Sequence, residues 1–243
     1  MALNPATLEA LVFDLDNTLC SFGPVQHAAV CGTLHQHLVR LFGPTDPHHV
    51  EVLWNKARQA PYKGAAHTLK EHDYEILLTQ IVTTLYGHAP DVVRLEQLRF
   101  ALYSHYVNLV TFDPEVRALL GRLKERFRLV LLTNYPDTHA VRDALRVHHL
   151  RDLFENIAVS GEIGYVKPHP VTFAQALSPL HVAPEHAAYI GDELDHDIQG
   201  AKSAGLQTIW LTRYLPEGHA TPGPGELPDL EIKALAELET ALQ

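Results

Sequence analysis

Two carboxylates stand two residues apart in the stretch LVFDLDNTLC, which spans Leu11 to Cys20. Asp14 ends a run of apolar residues typical of a buried strand, and Asp16 follows it after Leu15. Like charges this close repel each other, and removing them from water is costly unless a positive group lies between them. Either these side chains are solvated in a loop, or they hold a cation.

Polar residues follow three later apolar runs in the same way. Thr133 and Asn134 end the run RLVLLTN, and Lys167 lies in GEIGYVKPHP after a shorter run. Asp192 follows AAYIG, with Asp197 five residues further along the chain. Because the carboxyl ends of parallel strands meet at one edge of a sheet, we expect these side chains to lie close together.

This set of residue types suits phosphoryl transfer. Three or more carboxylates around one point favour a hard cation such as Mg²⁺, which prefers oxygen ligands. A lysine with hydroxyl or amide donors beside that cation favours an anion, most naturally a phosphoryl group. One carboxylate can attack phosphorus to form an aspartyl phosphate, and a second can transfer the proton.

The elements that must position these residues alternate between strands and helices. The predicted strands cover residues 11–14, 128–134, 157–160, 187–190 and 207–211. The predicted helices between them cover 113–127, 137–147, 170–181 and 195–204; residues 213–228 are expected to form a loop, and a helix to close the chain from about Glu231. This alternation indicates a parallel sheet covered by helices on both faces.

One segment interrupts the alternation with helical patterns alone. Its predicted helices cover 24–42, 47–59, 71–86 and 91–110, separated by Pro- and Gly-containing turns. We therefore expect an α/β fold, with a Rossmann-like parallel-sheet core formed by residues 1–20 and 111–243. Residues 21–110 would form an inserted all-helical cap at the carboxyl end of the first strand, where ligands bind in such sheets.

The polar motifs resemble those of the haloacid dehalogenase-like (HAD) hydrolases. DLDNT at 14–18 is similar to the first family motif, DxDx[TV], and LLTN at 131–134 to the second, a strand ending in Ser or Thr. Lys167 before Pro168 resembles the third motif, and GDELDHD at 191–197 the fourth, GDxxxxD. The four occur in the family's order and cover nearly the whole chain, which makes the set far more specific than any one motif.

The resemblance implies a role for each carboxylate. Asp14 would be the nucleophile and a Mg²⁺ ligand, and Asp16 the general acid and base, with its backbone carbonyl on the metal. Asp192 would be the second protein carboxylate on Mg²⁺. Asp197 would support Lys167 or a metal-bound water.

The resemblance also implies a phosphate-binding set. Thr133 and the backbone near Asn134 would hold the phosphoryl oxygens, and Lys167 would neutralise charge and orient Asp14.

An acid at position 16 favours phosphate ester hydrolysis over dehalogenation, because a halide leaves without a proton. The helical insertion would be the cap that closes over the site and excludes water.

We therefore expect a Mg²⁺-dependent phosphatase that acts on a small phosphorylated metabolite. A phosphotransferase or mutase of sugar phosphates is an alternative, and a catalytically silent binding module on the same fold is another. The silent module is disfavoured because a binder alone has no need of the whole polar set.

The predicted cap carries one cluster of charges around the loop QAPYKGAAHTLK. Arg58, Lys63, His67 and Lys70 lie there, and a solvated face is the ordinary interpretation of such a cluster. Arg58 and Lys63 are the candidates for contact with an anionic substrate.

Composition bounds the partners and the compartment. The chain has 243 residues, of which 46% are hydrophobic, and this excludes a disordered protein. Its formal charge of −10 disfavours binding to nucleic acid polymers or anionic membranes. With two cysteines and no basic leader followed by a long apolar run, we expect a cytoplasmic protein. The sequence leaves the oligomeric state open, and a monomer or homodimer is the default expectation.

Overall fold

The computed structural model describes residues 3–63, 68–215, 222–223 and 227–243, and a six-stranded parallel sheet forms its centre. The strands are β1 (Ala10–Phe13), β2 (Arg128–Thr133), β3 (Asn156–Val159), β4 (Ala187–Gly191), β5 (Gln207–Leu211) and β6 (Leu230–Ile232). Their order across the sheet is β3-β2-β1-β4-β5-β6. The strands that end in the first, second and fourth motifs are therefore neighbours, and the predicted parallel α/β fold is confirmed.

Strand β1 is central because both of its faces are apolar. Leu11 and Phe13 belong to the apolar cluster on one face of the sheet, and Ala10 and Val12 to the cluster on the other. All four are fully buried, and burial of each larger side chain contributes about 1.5–3 kcal/mol. A strand of this kind is stable only with helices on both sides of the sheet.

The helices supply those two layers. They are α1 (Pro24–Phe42), α2 (Pro47–Gln59), α3 (Tyr74–Tyr86), α4 (Val92–Leu109), α5 (Pro114–Lys124), α6 (Thr138–Val147), α7 (Ser160–Ile163), α8 (Pro170–Leu177), α9 (Gly200–Ser203) and α10 (Leu238–Ala241). Leu119 of α5 and Val141 of α6 pack in the cluster of Phe13, while Phe173 of α8 packs in the cluster of Val12.

Helices α1–α4 lie between β1 and α5, and we call them the helical insertion. Side chains of Asp46, Asp73 and Asp91 cap α2, α3 and α4 by accepting a hydrogen bond from an amide in the first turn. Helix α1 packs on α2 and α4, and α4 packs against α6 beside the sheet. The buried residues of the insertion form one continuous apolar cluster with those of the adjacent sheet face.

A helix that crosses a bilayer needs about 20 predominantly apolar residues in succession. None of the helices within the described ranges combines the length and the apolar character of a membrane span.

The third helix of the insertion begins later than predicted. The expected start was residue 71, but Asp73 accepts from Ile76 N and α3 begins at Tyr74. Glu71 precedes the helix instead, and its amide donates to Gly164 O at 3.0 Å. The segment before α3 therefore pairs with the loop that leads to the third motif.

The predicted closing helix from Glu231 is wrong in its first part. Residues 230–232 form β6, which pairs with β5 through Ile209 and Leu230, and Ile232 is buried whereas Glu231 is exposed. A neighbouring strand and one buried side chain are enough to favour an edge strand over a helix. A 3₁₀ turn and the four-residue helix α10 then end the described chain.

Two other segments depart from the expectations. The predicted helix 195–204 is a π-helical turn over 194–199 followed by α9. The predicted loop at 213–228 contains no helix or strand at its described positions, while residues 216–221 and 224–226 lie outside the described ranges.

Candidate active site

Lys167 lies at the centre of the polar residues gathered at the strand ends. Its Nζ donates to Asp14 Oδ1 at 2.6 Å, to Asp197 Oδ1 at 2.7 Å and to the Tyr189 hydroxyl at 2.7 Å. These three bonds match the three donors of an ammonium group, and the side chain is only 2% exposed. Burial opposes the charge, but Asp14 and Asp197 outweigh it and hold the pKa of Lys167 well above its usual range.

Asp14 follows β1 directly and extends its pairing. Its amide donates to Ile190 O of β4 at 2.9 Å, which fixes the backbone against the neighbouring strand. Burial raises the pKa of Asp14 to about 8, while Lys167 acts in the opposite direction. Since Lys167 holds Oδ1, the Oδ2 atom of Asp14 is the one left for other chemistry.

Asp197 is fixed by the turn that follows β4. Its Oδ2 accepts from the amides of Asp192 and Glu193, each at 3.1 Å, while its Oδ1 accepts from Lys167. A Cβ on Gly191 would lie 2.3 Å from Asp197 Oδ2. Only glycine at this position lets the carboxylate approach the backbone so closely.

Three buried carboxylates form one acidic cluster. Asp14, Asp192 and Asp197 each offer an oxygen, and these oxygens lie within 4.8 Å of one another. Lys167 offsets one of three negative charges, so two would remain if all were ionised. Burial, with Asp197 and Asp14, raises the pKa of Asp192 to about 9. Such excess buried charge is what a divalent cation offsets.

The three carboxylates differ in how many of their oxygens already accept hydrogen bonds from the protein. Both oxygens of Asp197 accept hydrogen bonds from the protein, so this side chain suits the support of Lys167. Asp192 and Oδ2 of Asp14 suit metal ligation. The indole of Trp210 donates to Asp192 O at 2.8 Å and fixes the backbone of that ligand candidate.

Asn134 connects the second and third motifs. Its Oδ1 accepts from Lys167 N at 2.7 Å, and its Nδ2 donates to Lys167 O at 3.2 Å and to the Tyr62 hydroxyl at 2.9 Å. The side chain therefore holds the backbone of Lys167, so any phosphoryl contact at this position belongs to its backbone. Thr133 is buried at the end of β2, two residues beyond Leu131, which pairs with Phe13 of β1.

Asp16 lies on the open side of the first motif. It is half-buried, and its Oδ1 is 3.6 Å from the Cys20 thiol. Burial raises the pKa of Asp16 to about 6, against the lowering effects of Cys20 and Arg58. The turn after it has Asn17 at a φ of 57°, and the Asn17 side chain accepts from Phe22 N at 2.9 Å.

A cavity of about 160 Å³ joins Asp16 to the helical insertion. Among its lining residues are Asp16, Phe22, His27, Trp54, Asn55 and Arg58. Of the two predicted cap contacts, the structure brings only Arg58 to this cavity. Lys63 is exposed and donates to Gln59 Oε1, and His67 lies outside the described residues.

Several site residues were not predicted from the sequence. Tyr189 lies in the buried strand β4, and its hydroxyl, the one polar side-chain group of that strand, was the signal that could have indicated it. The side chain of Glu71 is 2% exposed and accepts from Ser160 Oγ, which ties the insertion to the start of α7. The ring of Tyr62 stacks on His196 at 4.5 Å between centroids, and no spacing in the sequence signals this contact.

A buried lysine held between two aspartates at the carboxyl end of a parallel sheet is the arrangement that the four motifs led us to expect. The family model of the haloacid dehalogenase-like hydrolases matches residues 8–205 of the sequence, and the chain belongs to this family. The resemblance expected from the four motifs is thereby confirmed.

Named relatives include two phosphatases. The chain is 37% identical over 146 residues to the phosphoserine phosphatase of Thermus thermophilus, an alignment that covers 59% of this chain and 52% of the relative. It is 27% identical over 245 residues to the N-acylneuraminate-9-phosphatase of Rattus norvegicus, covering 97% and 94% of the two chains. Among solved structures, the 2-haloacid dehalogenase of Pseudomonas syringae pv. Tomato aligns with a TM-score of 0.72 and 25% identity, over 97% of this chain and 98% of that one.

Proposed function

We propose that this protein is a phosphoric monoester hydrolase that uses Mg²⁺ and acts on a small phosphorylated metabolite. The observation that carries the proposal is the contact of Lys167 Nζ with both Asp14 and Asp197, next to Asp192. Membership of a hydrolase family and the phosphatase relatives support the same activity.

Asp14 is the nucleophile in this proposal. One oxygen of its carboxylate attacks phosphorus, a new P–O bond forms, and the bond from phosphorus to the ester oxygen breaks. Lys167 donates to Oδ1 at 2.6 Å and keeps the attacking carboxylate oriented. The product of this step is an aspartyl phosphate on Asp14 and a free alcohol.

Asp16 moves the protons of both steps. It donates a proton to the leaving oxygen and then takes one from the water that hydrolyses the aspartyl phosphate. Burial raises its pKa to about 6. A group whose pKa lies near the working pH can both donate and accept a proton. An alkoxide needs this proton and a halide does not, which favours phosphate ester hydrolysis over dehalogenation.

The acidic cluster fits Mg²⁺ by its donor set. Asp14 and Asp192 would supply carboxylate oxygens and Asp16 its backbone carbonyl, while Asp197 supports Lys167. When bound, the ion would offset the charge of the cluster and stabilise the negative charge of the transferring phosphoryl group.

The phosphoryl oxygens are assigned to the second and third motifs. The Thr133 hydroxyl and the backbone N–H groups at Asn134 would donate hydrogen bonds to these oxygens. The positive charge of Lys167, whose three N–H donors already bond within the protein, would offset their negative charge. The helical insertion, within residues 21–110, would act as the cap over a core formed by 1–20 and 111–243. The hydrogen bonds of Tyr62 and Arg58 to Asn134 support the role of the insertion as a cap.

Phosphate release from a panel of monoesters tests the proposal. The panel includes phosphoserine, N-acylneuraminate 9-phosphate, sugar phosphates, nucleoside monophosphates and phosphoglycolate, each with Mg²⁺ or with EDTA. We expect Mg²⁺-dependent release that falls by roughly 10³-fold or more in Asp14→Asn. Asp152→Asn, which removes an exposed carboxylate far along the chain, serves as the matched control. Full activity in Asp14→Asn would overturn the nucleophile, and an isomerised sugar phosphate in place of free phosphate would indicate a mutase.

A further inference from the structure

The cavity beside Asp16 lies where the leaving group of a substrate would emerge. Asp16 lines it on one side, and residues of α1 and α2 in the helical insertion line the other. Since Asp16 protonates the leaving oxygen in the proposed reaction, the atoms attached to that oxygen extend into this cavity.

The size of the cavity limits the leaving group. Its volume is about 160 Å³. Small-molecule pockets for larger ligands usually enclose about 300–1,000 Å³. The smaller space favours a short aliphatic alcohol over a nucleoside as the leaving group.

Arg58 brings a cation with spare donors to the cavity. Its guanidinium donates to Glu71 Oε1 and to Asn134 O, and both distances are 3.4 Å, at the long end for hydrogen bonds. A guanidinium has five N–H donors in a planar fork that matches a carboxylate. Within the described part of the chain, these two bonds leave donors of Arg58 available to a ligand.

Glu71 does not depend on Arg58 alone. Its carboxylate also accepts from Ser160 Oγ and from His72 N, the latter at 2.9 Å. Because other donors share this carboxylate, Arg58 retains attraction for a second anion.

Asn55 adds a neutral donor next to Arg58. Its Oδ1 lies 2.7 Å from His27 Nε2, so its Nδ2 is the atom left for a ligand. No hydrogen bond from that Nδ2 is present among the residues that the structure describes. The side chains of Phe22 and Trp54 supply apolar walls beside these donors.

We propose that Arg58 and Asn55 form an anion-binding subsite for the leaving group, so that the preferred substrates are phosphate monoesters of small hydroxy acids. The donors would hold a carboxylate, and the apolar walls would cover the short carbon chain that connects it to the ester oxygen. This assignment rests on the proposed phosphatase function and narrows its substrate class.

Matched pairs of monoesters test the subsite. 3-Phosphoglycerate differs from glycerol 3-phosphate by a carboxylate in place of a hydroxymethyl group, and phosphoglycolate differs from 2-hydroxyethyl phosphate in the same way. In wild type we expect kcat/KM for each acid to exceed that of its neutral partner by about 10-fold or more. We expect Arg58→Met to bring this ratio close to one, and Arg58→Lys to keep part of it.

Two further variants separate the subsite from a loss of folding. Lys56→Met removes an exposed cation from the same helix, and the ratio should stay at the wild-type value. Glu71→Gln removes the anion that competes for Arg58, so the preference for the acids should rise. An increase in this variant cannot result from general damage to the fold.

The outcomes distinguish this subsite from the phosphatase activity. Equal kcat/KM for acid and neutral esters in wild type would overturn the subsite while hydrolysis stands. Absence of phosphate release from every ester would overturn both assignments. A preference for a small bisphosphate, such as propane-1,3-diol bisphosphate, over the acids would assign the donors to a second phosphate and overturn the hydroxy-acid class.

Discussion

The Tyr189 hydroxyl accepts a hydrogen bond of 2.7 Å from Nζ of Lys167. The ring belongs to the central strand β4 and packs edge-on against Phe173 at 5.6 Å between centroids. The same hydroxyl lies 3.1 Å from Asp197 Oδ1. A tyrosine from within the sheet thus fixes the ammonium group between Asp14 and Asp197.

Removing that hydroxyl should weaken both stability and turnover. Tyr189→Phe keeps the ring but leaves one buried N–H of Lys167 without its acceptor, which costs about 1–3 kcal/mol in the free energy of unfolding. Lys167 would then hold Asp14 less firmly, and we expect phosphate release to slow by about 10-fold. Urea unfolding and initial rates measure the two effects.

Tyr165→Phe is the matched control for this substitution. Its ring stacks on His169 at 4.1 Å, in the loop that contains Lys167. Loss of its hydroxyl should change stability by no more than about 0.5 kcal/mol and leave the rate unchanged. If Tyr189→Phe behaves like this control, Tyr189 does not position Lys167.

The strand-end residues of the site could be predicted because their signal is local. Asp14, Thr133 and Asp192 each follow an apolar run, and the parallel order of β2, β1 and β4 brings them together. Tyr189 has no such signal, since a tyrosine within a strand can be stabilised by its ring alone. Its hydroxyl contact with Lys167 exists only once the loop after β3 has folded back over the sheet.

The ends of helices and strands could likewise be predicted where nearby residues set them, and not where a distant strand does. Helices α1 and α2 have the predicted ends, because Pro24 and Pro47 occupy first helical positions and Gly43 ends α1. Strand β6 was missed because three residues are too few to show an alternating pattern. Its conformation depends on β5 as a neighbour, which the sequence of residues 230–232 does not encode.

The close approach of Asp197 to β4 requires glycine at position 191. In Gly191→Ala the new Cβ would lie 2.3 Å from Asp197 Oδ2, so the carboxylate must move away from Lys167. We expect a loss of about 1–3 kcal/mol in the free energy of unfolding, together with reduced phosphate release. Urea denaturation and activity assays on the same samples measure this.

Gly32→Ala provides the comparison for that prediction. Gly32 lies in α1, and a methyl group added there would meet no atom within 4 Å beyond its chain neighbours and the backbone of its own helix. Alanine in a helix interior should raise stability by up to about 1 kcal/mol. Equal effects of the two alanines on unfolding would contradict the role assigned to Gly191.

Mg²⁺ should stabilise the folded protein through Asp192. At a hundredfold excess over its dissociation constant, an ion that binds only the folded state contributes about 2.7 kcal/mol, or roughly 5–10 °C in Tm for a chain of this size. We expect this shift in wild type and in Asp152→Asn, and its loss in Asp192→Asn.

In EDTA, Asp192→Asn should melt above wild type, because one of three clustered buried carboxylates is gone. Scanning calorimetry with Mg²⁺ and with EDTA measures both effects, and a full Mg²⁺ shift in Asp192→Asn would place the ion away from this cluster.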